Sequence, residues 1–372
     1  MPERIELSRA DDPRDVVHKA VACLAQGGVV GLPTEYSYGL AVGAMHPGAV
    51  ERLRAARGGC EIGETGRPTL LLRGPGEIRD WAILPSEVGF RLAHRAWPGP
   101  VTLRFPVAEN GLSGRLSTGV RSFLVPDGEI ALRVPSHGMV REILRLMPGP
   151  VLLADPQINR DGDPERAVDM MESLTDLDMI LDVGATPHRG RETVVSVTHD
   201  RWSIVEPGET PETVIAQMAG RIILFVCTGN TCRSPMAEAL CKVLLARRLK
   251  CKPDELVERG LVVLSAGVAA ARGMPAASHA VEVVRSKGGS LQGHSSRKVT
   301  RELARHADHI VAMTIDHLEI LLHQVPEAEP IARLLDPEGD IDDPVGSDLE
   351  TYQQTARQIE RNLDVLLDEL GI

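Results

Sequence analysis

Residues 227–234 read CTGNTCRS, which places Cys227 and Arg233 with five residues between them. An apolar run, IILFV over 222–226, leads into this segment, and apolar residues return at helical spacing over 235–249. The cysteine therefore stands where a buried strand turns into a helix. In such a turn the N–H groups of the loop and the positive end of the helix converge on one point and bind the oxygens of an anion. The guanidinium of Arg233 adds a fork that matches two of those oxygens. Thr228, Gly229, Asn230, Thr231 and Cys232 supply the amides, and Ser234 brings a hydroxyl within reach of the sulfur. The same positive field favours a thiolate at Cys227. That thiolate is suited to in-line attack on phosphorus through a phosphocysteine, with the amides and Arg233 holding the transferring charge. A leaving group also needs a proton, and DIDDPVG over 340–346 offers the Asp343 carboxyl on a Pro-containing turn. A Cys-x5-Arg spacing also arises by chance, and Asp343 by itself also reads as a solvated turn.

The elements that would carry this loop are legible in outline. LVVLSAG near Ser265, HIVAM near Val311 and ARLL near Leu334 are further buried-strand candidates. They alternate with helical patterns at 276–286, 316–323 and 349–370, which implies a parallel sheet covered on both faces, an α/β/α arrangement. Upstream, strands and helices also alternate, with more Gly and Pro and candidate hairpins around 101–105 and 122–132, so a mixed α/β domain is expected there. The stretch 205–211, VEPGETP, reads as an exposed connection, and 213–218 as one short helical turn. The expected domains are 1–208 and 220–372.

A chain of 372 residues fits two domains. Its formal charge of -11 argues against a chain-wide grip on nucleic acid, although a local basic groove survives within an acidic total. The polar start and the absence of a long apolar run read as a cytoplasmic protein with no membrane partner. Six cysteines, none in a two-pair zinc spacing, fit a reducing compartment. No metal or cofactor is called for by the proposed thiolate chemistry.

VCTGNTCRSPMAEAL followed by SAG, HSSRKVT, ADHIVAM and DDPVG resembles, in order, the low-molecular-weight protein-tyrosine-phosphatase family over nearly all of residues 221–372. The resemblance implies Cys227 as nucleophile, Arg233 as phosphate ligand and Asp343 as general acid, then as activator of the hydrolytic water. It also implies loop support from Asn230, Ser265 and His294, although His294 taken alone also reads as a surface histidine. Thr231 stands where tyrosine-specific members carry an apolar residue, and Val345 and Gly346 replace the aromatic wall after Asp-Pro. The loop resembles the protein-arginine-phosphatase branch, which implies phosphoarginine, while a Thr tolerated in place of Ile leaves phosphotyrosine open. An arsenate-reductase reading needs cysteines well downstream of the loop, and none follows Cys251. Cys232 either forms a reversible disulfide with Cys227 or is a small buried residue. Cys241 and Cys251 read as packing residues.

VVGLPTEYSYGLAV over 29–42, WPGPVTL over 97–103, ALRVPSH over 131–137 and TVVSV over 193–197 resemble the Sua5/YciO/YrdC family. Members make threonylcarbamoyl-adenylate for tRNA modification and have been associated with double-stranded RNA binding. Thr34, Tyr38 and Arg133 match its pocket and are the candidates for holding a nucleotide or threonine. Several family features are altered here. The Lys-x-Arg-Pro stretch is replaced by RAARGGCEIGETGRP over 54–68, and the Ser-Thr-Ser-Ala-Asn loop by ADPQIN over 154–159. Ser196 and Glu206 stand at the late Asp and Arg positions. An anionic Glu206 there is expected to repel phosphate. The leading reading is an active phosphatase for phosphorylated proteins fused to a degenerate synthase-like domain that binds a nucleotide, a double-stranded RNA or a protein. A working synthase with an accessory phosphatase is the second reading, and a pair of binding modules the third.

Overall fold

The computed structural model describes residues 2–46, 48–56, 67–83, 86–107, 112–156, 166–174, 176–188 and 190–372. The chain divides into two units, Met1–Met218 and Ala219–Ile372.

In the first unit the described strands are β1 (Glu3–Glu6), β2 (Val30–Pro33), β3 (Tyr38–Gly43), β4 (Thr69–Leu71), β5 (Val101–Pro106), β6 (Glu129–Arg133), β7 (Val151–Ala154), β8 (Met179–Asp182), β9 (Thr193–Thr198) and β10 (Arg201–Glu206). They form one mixed sheet in the order β1-β8-β2-β3-β7-β4-β6-β5-β9-β10. Helices Pro13–Ala25 and Gly138–Leu146 bury Val16, Ala20, Leu24, Val140 and Ile143 against Val30, Leu32, Ala41 and Leu153 of the sheet. The hairpins expected at 101–105 and 122–132 are not formed as such. β5 does pair with β6 in antiparallel fashion, but helix Thr118–Leu124 lies between them and takes in Ser122. Ser117 caps that helix, and Val120, Phe123 and Leu124 are buried at spacings of three and four, a helical period that outweighs the strand propensity of the segment. Val205 and Glu206, expected in an exposed connection, belong to β10, and the turn expected at 213–218 is the helix Glu212–Ala219.

In the second unit β11 (Arg221–Cys227), β12 (Leu261–Gly267), β13 (His309–Ala312) and β14 (Ala332–Leu334) form a parallel sheet in the order β12-β11-β13-β14. β11 is the longest apolar run because it is buried on both faces. Ile223 and Phe225 face the helices Arg233–Leu249, Ser278–Ser286 and Leu349–Glu369. Ile222, Leu224 and Val226 face the other way, against Ala304, Leu321 and Val325 from helices Arg301–His306 and Ile315–Gln324 and the end of the latter. Alternation along one strand thus places it in the middle of three layers. The helix expected from Pro235 begins at Arg233 itself, directly after the loop.

Candidate active site

Cys227 is the last residue of β11, and its neighbours on the sheet fix the start of the loop. The Val268 N–H donates to Cys227 O at 2.9 Å and the Ala269 N–H to Thr228 O at 3.0 Å. Gly267, paired with Cys227, makes this approach possible: a methyl group there would meet Thr228 O at 2.3 Å and Asn230 N at 3.0 Å. Asn230 then adopts the left-handed conformation, with φ of 54°. That turn swings its N–H back onto the cysteine, Asn230 N to Cys227 Sγ at 3.3 Å. Ser234 Oγ lies 3.0 Å from the same sulfur.

A left-handed asparagine costs about 1–3 kcal/mol unless its surroundings hold it. Here they do. Its Nδ2 donates to Ser234 Oγ at 3.1 Å and to Ser265 Oγ at 2.9 Å, while its Oδ1 accepts the Arg297 N–H at 3.0 Å. His294 Nε2 is 2.8 Å from Asn230 O, so this histidine is tied to the loop rather than left on the surface. Ser265 passes its own hydrogen to Glu238 Oε2 at 2.6 Å, and Lys242 Nζ meets the other carboxylate oxygen at 2.5 Å. Every polar atom of the Asn230 side chain is used, which makes the loop shape a property of the fold.

Arg233 is buried, and its guanidinium donates to Asp343 Oδ2 at 2.6 Å and to Ile341 O at 3.3 Å. The Asp343 side chain is half exposed and also accepts the Val345 N–H at 3.2 Å. The Arg233 guanidinium and the Asp343 carboxyl, 110 positions apart in sequence, are thus joined at the end of the loop that Cys227 opens. Thr231 receives the Ala277 N–H on its carbonyl at 2.9 Å, and Val345 stands 65% exposed beside the Asp-Pro turn. Cys232 is buried with its sulfur 3.2 Å from the hydroxyl of Tyr352. Burial, followed by that contact, pushes the Tyr352 phenol up. Burial also pushes the Cys241 thiol up to about 12, as fits a packing residue.

Sequence reasoning missed Glu238, His317 and Tyr352. Glu238 had a usable signal, since it lies one helical turn after Ser234 on the helix that opens at the loop. Tyr352 and His317 come from distant segments and had none beyond a Thr-x-x-His cap pattern at 314–317.

The N-terminal candidates lie otherwise. Thr34 closes a turn on Ser37, donating to its carbonyl at 2.8 Å and accepting its N–H at 3.1 Å. Tyr38 is fully buried; its hydroxyl donates to Gly184 O at 2.8 Å and accepts the Val183 N–H at 3.0 Å. Burial, partly offset by that N–H, carries its phenol up to about 12. Arg133 ends β6, 3% exposed, between the carboxylates of Glu35 and Glu192, and its Nε donates to Gly99 O at 3.2 Å. Burial pushes the Glu35 carboxyl up, but the Arg133 charge and the Ser136 N–H outweigh it and leave the group below its ordinary range. Glu35 thus links Thr34's turn to Arg133, whereas Tyr38 is directed elsewhere. Glu206, expected to confront a phosphate, instead pairs with the buried Arg104 of β5, across β9, the strand that lies between β5 and β10. Ser196 donates to Glu129 Oε1 at 3.2 Å. Residues 57–66 and 157–165, which hold most of the altered family loops, lie outside the described residues.

Comparison with known families agrees with this division. The family model described as low molecular weight phosphotyrosine protein phosphatase matches residues 222–371, and the Sua5/YciO/YrdC model, described as telomere recombination, matches 22–208. The chain belongs to both families, the first through its second unit and the second through its first. It is a fusion of a Sua5-like domain with a low-molecular-weight phosphatase. A protein-arginine-phosphatase of Geobacillus stearothermophilus is 39% identical over 153 residues, covering 40% of this chain and 95% of that one. A threonylcarbamoyl-AMP synthase of Pyrococcus abyssi is 27% identical over 212 residues, 55% of this chain and 57% of that relative. The structure of a Sua5 variant from the same organism has 19% identity and a TM-score of 0.51, covers 72% of this chain and 92% of that one, and shows a shared fold.

Proposed function

We propose that the second unit hydrolyses phosphorylated proteins through a phosphocysteine, with phosphoarginine as the preferred group. The observation that carries this reading is the convergence on Cys227 Sγ of the Asn230 N–H and the Ser234 hydroxyl, with Asp343 held on Arg233 nearby. The thiolate attacks phosphorus, forming an S–P bond as the P–N or P–O bond breaks. The Asp343 carboxyl gives its proton to the leaving nitrogen or oxygen. It then takes one from water, which attacks phosphorus, releases phosphate and restores the thiolate. The preference for phosphoarginine rests on Thr231, on the exposed Val345 in place of an aromatic wall, and on the likeness to an arginine phosphatase. A cytoplasmic setting suits this chemistry, and the described cysteines are free thiols.

Release of inorganic phosphate from phosphoarginine, phosphotyrosine and an aryl phosphate tests both levels. Turnover is expected in the wild type and a loss of at least about a thousandfold in Cys227→Ser. Retained activity in Cys227→Ser removes the mechanism. A higher kcat/KM for phosphotyrosine than for phosphoarginine removes the specificity alone.

The first unit, in this reading, retains the family fold without effective synthase chemistry. Arg133 faces two carboxylates, so this cluster carries one uncompensated negative charge toward an incoming phosphate. At about 6 Å and an effective dielectric near 20 that repulsion is roughly 3 kcal/mol. A nucleotide or double-stranded RNA would bind it weakly, and loss of synthase activity follows. Threonylcarbamoyl-adenylate made at ordinary rates from threonine, bicarbonate and ATP by the full chain would overturn this part and favour a bifunctional enzyme.

A further inference from the structure

The loop is braced from the β12 side by Asn230, Ser265 and His294, but β11 has a second neighbour, β13, and a brace comes from there as well. His317, on the helix that follows β13, is 4% exposed. Its Nε2 is 2.7 Å from Thr228 Oγ1 and its Nδ1 is 2.8 Å from Thr314 Oγ1. Thr314 also caps the helix by accepting the His317 N–H at 3.3 Å, so the ring is fixed to a rigid element at one edge. At the other edge it holds the hydroxyl of the residue that directly follows the nucleophile. Thr228 is itself exposed, and an exposed threonine side chain turns freely unless something holds it. A half-neutral, half-charged ring would serve poorly, because imidazolium has two donors and no acceptor for a partner hydroxyl's hydrogen. Burial and the nearby Arg233 charge keep it neutral, carrying its pKa down to about 4 against the opposing pull of Asp343, Asp316 and Asp340.

We propose that His317 is a positioning residue for phosphoryl transfer, acting through Thr228 to hold the first turn of the phosphate loop in its anion-binding shape. This rests on the phosphatase reading above. The ring touches neither the sulfur nor Arg233 by hydrogen bond; its effect passes through one side chain, and that makes it separable from general stability.

The test is steady-state hydrolysis of para-nitrophenyl phosphate by the full chain, as wild type, Cys227→Ser, His317→Ala, His317→Gln, Thr228→Val and the doubles combining a His317 variant with Thr228→Val. Losing one orienting hydrogen bond is worth about tenfold in rate, so His317→Ala and Thr228→Val should each lower kcat by about that factor. His317→Gln, which keeps an N–H near the Nε2 position, should recover most of the loss. In the double variants the further loss should stay within about threefold of the worse single, because both changes cut one connection. Full multiplication of the two losses, or an unchanged kcat in His317→Ala, overturns the proposal. Should His317→Ala fail to fold, the His317→Gln and Thr228→Val pair carries the same cycle. Wild type without Cys227-dependent turnover brings down the phosphatase reading and this inference with it, whereas an active wild type with multiplying losses removes the inference alone.

Discussion

Two arginines, one in each unit, are buried almost equally, Arg233 at 6% exposure and Arg133 at 3%, yet their surroundings prepare them for opposite fates. Arg233 meets one carboxylate, whose side chain is half exposed, and one backbone carbonyl. Arg133 is enclosed by two carboxylates and a carbonyl within the fold. Burial of a cation therefore says little about its capacity for an anionic ligand. The count and exposure of its counter-charges say more, since removing a buried charge from its partners is far more expensive than parting an exposed pair.

The largest effect that sharpens this comparison is expected at Asp343. Asp343→Asn should lower kcat by about a hundredfold to ten-thousandfold for poor leaving groups, with inhibition by inorganic phosphate undiminished, because the amide no longer neutralises Arg233. A drop in phosphate affinity instead would mean that the carboxyl organises Arg233 rather than competing for it. Next comes Arg133→Leu, which leaves Glu35 and Glu192 without their cation. It should destabilise the first unit by about 3–5 kcal/mol with phosphatase turnover unchanged. Trp81, Trp97 and Trp202 all lie in that unit, so urea unfolding followed by tryptophan fluorescence reads it selectively. A neutral outcome would show that Arg133 is spare, and so available for a ligand.

A smaller change is expected from Thr231→Ile, which should lower the phosphoarginine-to-phosphotyrosine ratio of kcat/KM by about tenfold, measured by phosphate release. The smallest concerns acid. His317 has its folded pKa depressed to about 4, so as pH falls from the ordinary 6.5 the unfolded chain takes up a proton that the folded chain refuses. Stability of the second unit should therefore decline through that window, and His317→Asn should flatten the decline, read by circular dichroism in urea.

The proposed catalytic loop was legible as a local arrangement because strand, loop and helix are consecutive, so one pattern places Cys227, the amides and Arg233 together. Asp343 needed the order of motifs across the whole unit. His317 and Tyr352 reach the loop from 89 and 120 residues away, and no periodicity reports such a contact. The helix inside the expected hairpin was hidden because Val120, Phe123 and Leu124 also suit a strand by residue type, and the Ser117 cap together with their spacing of three and four decides for the helix. In the first unit, residue types misled most at Glu206. Its charge was read correctly, but its partner, Arg104, lies 102 positions away.

Gly267 has one more consequence. The end of β12 packs too close to the carbonyl of Thr228 to admit even a methyl group, and Val268 and Ala269 bond to Cys227 O and Thr228 O, so lifting the start of the loop means breaking its ties to that neighbouring strand. Most surface loops exchange their amide hydrogens through small private openings, but the amide of Asn230 should exchange only with the sheet. The loop would then be as slow to melt as the pairing of β11 with β12.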